Sequence, residues 1–211
     1  MTKKQRVDFI CGALEKEYPL ADCSLTVYNP LQLLLATRLS AQCTDKRVNM
    51  VTPVLFERFP DAAAFAAADI ADIEEIIKPC GLYKTKAKDL KAACTTLQEK
   101  FGGQVPGTME ELLSLSGVGR KTANLVLGEV FGKPAIIADT HCIRLSNRLS
   151  LCDTTDPYKV EMALKAILPP EKSTAFCHRL VHHGRAVCTA RKPNCDACCL
   201  KSVCKNAKET L

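Results

Sequence analysis

Long apolar runs are missing from this chain of 211 residues, because no stretch approaches the roughly 18 consecutive apolar residues that a membrane-spanning helix needs. The first twenty residues do not read as a signal peptide, since Asp8, Glu15 and Glu17 interrupt their apolar segment. No stretch alternates as a β-strand does, and there is no internal repeat, low-complexity tract or long linker. These absences argue against membrane, repeat and β-sheet proteins, and they predict a cytoplasmic protein.

The composition is that of a globular protein with a moderate positive charge. Hydrophobic residues make up 47% and charged residues 25%, enough for one large domain or two small ones. The formal net charge is +6. Thirteen cysteines without a secretory signal indicate a reducing compartment, where thiols stay free or bind metal.

Helix start signals follow one another along most of the chain. Residues that favour the N-cap position precede the predicted helices, namely Asn29, Thr44, Thr52, Asp61, Asp69, Thr108, Asp139 and Asp156. The pairs Thr44-Asp45 and Thr52-Pro53 predict two short helices in this region. The sequence therefore predicts an all-α fold.

The stretch from Leu113 to Asn124 contains two glycines between two predicted helices. Gly117 and Gly119 can adopt positive φ and carry no Cβ, so another backbone can approach the turn closely. The second helix begins near Arg120, and its free N–H groups and positive dipole end form an anion site. In a chain of net charge +6, this pattern favours a nucleic-acid phosphate as the anion. An ordinary Gly-rich connection between helices is the alternative.

Four cysteines late in the chain have the spacing C-x6-C-x2-C-x5-C, and they are Cys188, Cys195, Cys198 and Cys204. Four thiolates in one short loop can bind an iron–sulfur cluster or a zinc ion. Structural zinc sites usually have a close cysteine pair at both ends, whereas this loop has one such pair. Cys199 is predicted not to be a ligand, because its side chain should diverge from that of Cys198.

The segment around these cysteines is basic. Arg191 and Lys192 lie between the first two cysteines and are predicted to contact phosphates, although a solvated basic face is the alternative. His178 and His182 stand at i, i+4 without the glutamate of a metalloprotease motif. We therefore predict structural roles for both of them and for His183.

Lys121 lies at the start of the helix that follows Gly119, where the helix dipole and partial burial would favour a neutral amine. The neutral amine is the form that nucleophilic attack needs. Taken alone, Lys121 is equally well an exposed lysine or one more phosphate contact. Asp139, in Ala138-Asp139-Thr140-His141, is equally well a helix N-cap.

The hairpin segment from Leu113 to Asn124, the cysteine spacing and Asp139 resemble the helix-hairpin-helix DNA glycosylases of the endonuclease III family, over almost the whole chain. The resemblance implies that Lys121 and Asp139 are the catalytic pair and that the four spaced cysteines bind a [4Fe–4S] cluster. It implies a bifunctional DNA glycosylase and AP lyase that removes oxidised pyrimidines from damaged double-stranded DNA and cuts 3′ to the abasic site by β-elimination. A monomer is expected.

The resemblance also implies a set of DNA contacts. In the hairpin they are Gly117, Val118, Gly119 and Arg120. Gln42 and Leu82 match family positions that fill the hole left by a flipped nucleotide, although Gln42 could be only a polar helix end and Leu82 a core residue. Four lysines follow Leu82 and suit either a DNA-facing edge or a solvated helix face, namely Lys84, Lys86, Lys88 and Lys91.

The family's organisation implies two domains. Residues 22–132 form a six-helix domain containing the hairpin, and residues 1–21 and 133–211 form an iron–sulfur domain from both termini, with the active site in the cleft between them. Two alternatives remain: a monofunctional mismatch glycosylase, against which Lys121 counts, and a non-catalytic Fe–S DNA-binding module. The sequence departs from the family at Ser116, where a proline usually stands, and this predicts a slightly freer turn.

Overall fold

The computed structural model describes residues 1–208, and residues 209–211 lie outside the described part. Twelve α-helices follow one another in these 208 residues, and no strand occurs among them, so the predicted all-α fold is confirmed. In chain order they are α1 (Lys3–Glu17), α2 (Pro30–Leu39), α3 (Asp45–Arg58), α4 (Ala62–Ala67), α5 (Ile70–Ile77), α6 (Tyr83–Phe101), α7 (Met109–Leu113), α8 (Arg120–Glu129), α9 (Thr140–Arg148), α10 (Pro157–Lys165), α11 (Ser173–Ala186) and α12 (Lys205–Lys208). None of these helices is long and apolar enough to cross a membrane.

The chain divides into two compact units. The central unit is Ser24–Phe131, and the terminal unit combines Met1–Cys23 with Gly132–Leu211. The central unit therefore contains α2 to α8, while α1 and α9 to α12 belong to the terminal unit. The assignment of these units as a six-helix domain and an iron–sulfur domain stays a prediction.

Local sequence explains where most helices begin. A side-chain oxygen accepts a hydrogen bond from a backbone N–H of the first turn at Asn29, Thr44, Asp61, Asp69, Thr108, Asp139 and Asp156. Each cap satisfies one of the N–H groups that a helix start leaves without an intrahelical acceptor. The N-caps predicted at these seven positions are confirmed.

The helix start predicted at Thr52-Pro53 is wrong, because Pro53 lies inside the continuous helix α3. A proline in a helix interior removes one hydrogen bond and costs about 3 kcal/mol. The apolar face of α3 continues through this point, since Val51 and Leu55 on either side of the proline are both buried. Burying two such side chains contributes about 3–6 kcal/mol, which offsets the cost of the missing bond.

The core of the central unit forms around α6, which packs against α4 and α5. Its fully buried side chains include Phe65 of α4, Ile73 and Ile77 of α5, and Leu90 and Leu97 of α6. The rings of Phe59 and Phe65 lie 5.2 Å apart between centroids. This core fixes α6, the helix that follows Leu82.

In the terminal unit, α1 packs against α11. Ile10 and Leu14 are fully inaccessible to solvent on one face of α1, as is Leu180 on α11. The Arg6 guanidinium donates to the backbone oxygen of Val203 at 3.1 Å and to that of Leu149 at 3.4 Å. The first helix is thereby joined to segments from the second half of the chain.

Candidate active site and nucleic-acid interface

The glycine-containing turn of the central unit connects two helices, α7 ending at Leu113 and α8 beginning at Arg120. Gly117 has φ 72°, in the region that favours glycine, whereas Gly119 is extended with φ −98° and ψ 176°. Gly117 thus uses the positive φ that glycine permits, whereas Gly119 does not. Gly119 is the N-cap residue of α8. Because glycine has no side chain, no side-chain oxygen at this position accepts a hydrogen bond from the first N–H groups of α8.

The turn packs against an ion pair formed by Arg38 and Asp89. A Cβ at Gly117 would lie 2.5 Å from Arg38 Nε and 2.8 Å from Asp89 Cβ, so a side chain there requires the pair to move. Arg38 Nε donates to Asp89 Oδ2 at 2.9 Å, and the Ser116 hydroxyl donates to Asp89 Oδ1 at 3.0 Å. The turn predicted to be slightly freer without proline is therefore held by a hydrogen bond from Ser116.

Lys121 is the second residue of α8, immediately after the turn. Its side chain is exposed, so the partial burial expected from the sequence is not observed. The next six residues, 122–127, are all buried and fix the helix in the central unit. The lysine therefore extends from the first turn of a firmly packed helix, where its amine is open to a reactant.

Asp139 belongs to the terminal unit and is the N-cap of α9, where its Oδ1 accepts from the backbone N–H of Cys142 at 2.7 Å. The carboxylate is half-buried and follows the buried segment Ala135, Ile136 and Ile137. A cap of this kind fixes the orientation of the carboxylate. The capping role weighed from the sequence is thus confirmed, and Lys121 and Asp139 lie in different units.

The two predicted hole-filling residues share an unusual backbone. Gln42 has φ 53° and Leu82 has φ 49°, and only one other non-glycine residue among residues 1–208, Ser150, has positive φ. Non-glycine residues in this region cost about 1–2 kcal/mol each. Both side chains are exposed, 57% in the case of Leu82, which excludes the core role considered for it. Strained, exposed residues of this kind often lie at functional sites.

The four spaced cysteines of the terminal unit line a single cavity, whereas Cys199 does not line it. The pKa of the Cys198 thiol is raised to about 11, chiefly by burial and to a smaller extent by the neighbouring thiols of Cys199, Cys188 and Cys204. A group that binds here must therefore displace thiol protons. Within residues 1–208, no three His, Cys, Asp or Glu side chains are grouped closely enough to hold one metal ion. A [4Fe–4S] cluster fits this donor set better than zinc does, because each thiolate binds a different iron and the sulfurs stand further apart.

Comparison with known proteins decides the family. An endonuclease III of Synechocystis is 50% identical to the chain over 208 residues, which cover 98% of this chain and 95% of that protein. The endonuclease III of Bacillus subtilis is 39% identical over 99% of this chain and 96% of its own length. The chain belongs to the endonuclease III family. It also matches, over residues 35–170, the HhH-GPD superfamily of base excision DNA repair proteins.

Solved structures of the endonuclease III family have the same fold. A non-covalent endonuclease III–DNA complex superposes with a TM-score of 0.94 at 40% identity, covering 100% of this chain and 99% of the other. A trapped endonuclease III–DNA covalent intermediate matches with the same TM-score, identity and coverage. A thermostable thymine-DNA glycosylase, with a TM-score of 0.87 at 22% identity over 97% of this chain and 98% of its own, shares the fold.

Two arginines that the sequence reading missed hold the cysteine loop. Arg148 donates to the Cys188 sulfur at 3.1 Å and to the backbone oxygens of Thr189 and Ala190, both at 2.9 Å. Arg144, one turn earlier on α9, donates to the backbone oxygen of Cys188 at 3.0 Å. Their i, i+4 spacing shortly after the Asp139 cap was the available signal, because it places both on one helix face.

His183 also contacts the cysteine loop, which is more specific than the structural role predicted for it. Its Nε2 lies 3.3 Å from Cys198 Sγ, and its Nδ1 lies 3.0 Å from the Tyr18 hydroxyl. Burial lowers the pKa of His183, which favours the neutral ring. In the neutral ring, a Tyr18 hydroxyl that donates to Nδ1 leaves the Nε2–H to donate to the sulfur.

The basic pair Arg191 and Lys192 is exposed in the same loop. The Thr189 hydroxyl donates to the backbone oxygen of Lys192 at 2.7 Å, which closes the turn that carries the pair.

The lysines that follow Leu82 differ from one another in exposure. Lys84 and Lys88 are exposed, as a DNA-facing edge requires.

The prediction of a DNA-facing or solvated position is wrong for Lys86, and Lys91 is less open to solvent than Lys84 and Lys88. Lys86 is fully buried, and Lys91 is only partly exposed, with its ammonium donating to the backbone oxygen of Ala68 at 2.6 Å. Lys86 lies on the buried face of α6, whereas Lys91 is not among the buried residues of this helix. Burial lowers the pKa of Lys86 because the charged form loses its hydration.

Proposed function

We propose that Lys121 is the nucleophile and Asp139 its assisting carboxylate in the removal of oxidised pyrimidines from duplex DNA. As a member of the endonuclease III family, the chain is a bifunctional base-excision DNA glycosylase and AP lyase. The observation that carries the roles proposed here is the position of Lys121: an exposed amine directly after a turn whose helix N-terminus has no side-chain cap. The turn binds phosphate and the amine reacts.

The proposed chemistry needs a free amine and a leaving base. Lys121 loses a proton, attacks the sugar C1′, and displaces the damaged base, whose departing electron pair takes up a proton. The nitrogen lone pair then expels the ring oxygen, which leaves C1′ with the bonding electrons and takes up a proton, so that a protonated Schiff base joins Nζ and C1′. The Schiff base acidifies the C2′ proton, and its removal expels the 3′ phosphate, which cuts the strand by β-elimination.

Asp139 is proposed to help deprotonate the Lys121 ammonium and to stabilise the positive charge that develops on the sugar. Its cap to Cys142 N–H supports this role, because a carboxylate held in one orientation loses little energy in reorganising during the reaction. Capping and catalysis are compatible, since the cap occupies Oδ1.

DNA binding is proposed to use three surfaces of the chain. In the hairpin, the backbone N–H groups of Gly117 and Gly119 and the side chain of Arg120 bind phosphates. Val118 lies between the two glycines, and its own N–H donates to the backbone oxygen of Leu115 at 3.2 Å, so its contact with DNA uses its other atoms. The exposed pair Arg191 and Lys192 adds phosphate contacts from the cysteine loop. Gln42 and Leu82, both exposed, fill the hole left in the base stack when the damaged nucleotide is flipped out.

Cys188, Cys195, Cys198 and Cys204 would hold a [4Fe–4S] cluster, as their shared cavity supports. Iron–thiolate bonds from the four cysteines would then join four points of the loop and fix its shape. A loop of fixed shape would hold the side chains of Arg191 and Lys192 in position to contact phosphates. We further propose that the protein acts as a monomer in the cytoplasm.

Borohydride trapping tests the proposed nucleophile. Reduction of the Schiff base should join the protein covalently to duplex DNA that carries an abasic site or an oxidised pyrimidine. Lys121→Ala and Lys121→Gln should abolish trapping and β-elimination, while binding to damaged DNA persists because the hairpin backbone is unchanged. Robust trapping by the Lys121→Ala protein would refute the assignment, since the amine would then come from another residue.

Asp139→Asn separates charge from shape. The amide keeps the capping oxygen but lacks the negative charge, so base release should slow by on the order of 100-fold while α9 stays folded. Single-turnover excision and circular dichroism measure the two effects. A near wild-type rate for Asp139→Ala would reduce Asp139 to a helix cap. Excision without any strand cutting by the unaltered protein would favour the monofunctional mismatch glycosylase instead.

A further inference from the structure

Lys86 is a charged side chain with no solvent exposure, among the largest fully buried side chains of the described chain. Its ammonium donates to the backbone oxygen of Leu39 at 2.8 Å and to that of Cys80 at 2.9 Å. A buried ammonium is costly unless its N–H groups are hydrogen-bonded. Lysine is therefore used here for a purpose that an apolar residue could not serve.

The two carbonyls that Lys86 binds terminate the two segments that carry the proposed hole-filling residues. Leu39 is the last residue of α2, three residues before Gln42. Cys80 is the last residue of the 3₁₀-helix Lys78–Cys80, two residues before Leu82. Carbonyls at helix C-termini lack intrahelical partners and lie at the negative end of the dipole, so one ammonium satisfies both.

The surroundings of Lys86 join the same two segments a second time. Burial raises the pKa of the Cys80 thiol, and the nearby thiol of Cys43 raises it as well, so the residue after Gln42 lies beside Cys80. Gln42 and Leu82 both have left-handed backbones, which persist only where neighbouring structure holds them. The Lys86 ammonium links the two segments next to these residues, because it donates to the backbone oxygens of both Leu39 and Cys80.

We propose that Lys86 is a positioning residue that sets Gln42 and Leu82 relative to each other, so that both side chains enter the base stack together. The inference rests on the proposed function of Gln42 and Leu82. Lys86 touches neither substrate nor reacting atoms; it acts through the backbone of the two segments. Its role is in nucleotide flipping and not in the chemistry at C1′.

Lys86→Met tests this role, because methionine has a similar length and no donor. On a thymine glycol duplex, single-turnover excision should fall about tenfold, the equivalent of one lost hydrogen-bonding group at about 1.4 kcal/mol. Borohydride trapping on single-stranded abasic DNA should remain at the wild-type level, since no nucleotide needs to be flipped. Equal losses on both substrates would overturn the proposal.

Lys91→Met is the matched control. Lys91 lies on the same helix and also donates to a backbone oxygen, that of Ala68, which is the C-cap of α4 and far in sequence from both hole-filling residues. This variant should keep wild-type excision on the duplex. If it loses as much as Lys86→Met, the effect comes from a weakened α6, and the proposal fails.

A double-mutant cycle distinguishes failure of this inference from failure of the proposed function. Leu82→Ala should reduce the fluorescence change of a 2-aminopurine placed opposite the lesion, and adding Lys86→Met should reduce it little further. If the two substitutions together reduce the fluorescence change by the product of their separate factors, Lys86 does not act through Leu82. If neither Leu82→Ala nor Gln42→Ala changes the signal, the hole-filling role itself is wrong.

Two further measurements keep the test decisive if Lys86→Met folds poorly. Lys86→Gln retains one donor and should show an intermediate loss of excision; a wild-type rate would contradict the proposal. Amide hydrogen exchange should become faster in residues 41–44 and 81–83 together in either variant. Faster exchange in only one of these segments would mean that Lys86 does not couple them.

Discussion

Gln42, Leu82 and Ser150 adopt the backbone region that glycine tolerates best, and each therefore has a local energetic cost. Ser150 belongs to the terminal unit and has no proposed contact with DNA, whereas Gln42 and Leu82 are proposed to enter the base stack. The same backbone strain therefore occurs at two residues with a proposed role in DNA binding, Gln42 and Leu82, and at one without such a role, Ser150.

Glycine substitution separates the two cases. Ser150→Gly should raise the free energy of unfolding by about 1 kcal/mol, because glycine relieves the steric cost of positive φ, and it should leave excision unchanged. Leu82→Gly should relieve the same strain but reduce excision from duplex DNA, because the side chain that fills the hole is gone. Urea denaturation and single-turnover excision measure both variants. A loss of excision in Ser150→Gly would show that backbone relief alone disturbs the site.

The Ser116 hydroxyl gives a second prediction at a single side chain. Ser116→Ala removes its hydrogen bond to Asp89 and should lower the free energy of unfolding by about 0.5–1.5 kcal/mol. Ser114→Ala is the control, because the Ser114 hydroxyl donates only to the nearby Glu111 backbone oxygen in an exposed position. It should cost less in the same urea titration. Equal costs would mean that the hydrogen bond to Asp89 does not hold the turn.

At the scale of elements, helix α9 and the cysteine loop of the terminal unit are joined by hydrogen bonds. Arg148 of α9 binds three groups of the loop, and Arg144 binds a fourth. Helix α9 itself begins at Asp139. A single helix therefore orients the proposed catalytic carboxylate at its N-terminus and the cysteine loop along its length.

Arg148→Met should loosen the cysteine loop. Three hydrogen bonds to Cys188, Thr189 and Ala190 are lost, so iron should leave faster in the presence of a chelator, as followed by the visible absorption of thiolate-bound iron. Arg191→Ala is the control: it should keep the iron but flatten the salt dependence of DNA binding by about one unit in slope. Iron loss at the wild-type rate in Arg148→Met would contradict the prediction.

Local sequence was sufficient for the features that local chemistry decides. The caps at Asn29, Asp61 and Asp156 follow from one residue and the turn after it. The fate of Lys86 does not, because its carbonyl partner at Leu39 is 47 residues away, while Lys84 and Lys88 look the same in the sequence and are exposed. The length of α3 was mispredicted for a similar reason, since the burial of Val51 and Leu55 outweighs Pro53.

The molecule as a whole carries buried thiols that couple its stability to pH. Burial raises the pKa of Cys94 to about 12 and the pKa of Cys11 to about 11, from an ordinary value of 9.0. Between pH 9 and about 11, the unfolded chain loses these protons while the folded chain keeps them. The folded state then binds more protons, so stability is complete below pH 9 and falls as pH rises.

The expected slope can be measured by urea denaturation under reducing conditions. Above pH 9, each such thiol should lower the free energy of unfolding by about 1.4 kcal/mol per pH unit. In Cys94→Ala, the slope of the free energy of unfolding against pH should be smaller by about that amount, whatever the stability of the variant at pH 7. Thr95→Ala, a neighbouring change without a titrating group, should leave the slope as it is. An unchanged slope in Cys94→Ala would contradict the assigned shift.

The joining of α1 to the far end of the chain has a consequence on the ribosome. Tyr18 meets its partner His183 only after 165 more residues have been made, roughly 10–30 s later at typical elongation rates. Throughout that interval the apolar face of α1, including Ile10 and Leu14, has no α11 to cover it, although Ser24–Phe131 is complete before α11 is made. An isolated helix of 15 residues is only marginally stable in water. We therefore expect the first helix of the nascent protein to stay unfolded until α11 is made, and the cysteines proposed to bind the cluster emerge just after that.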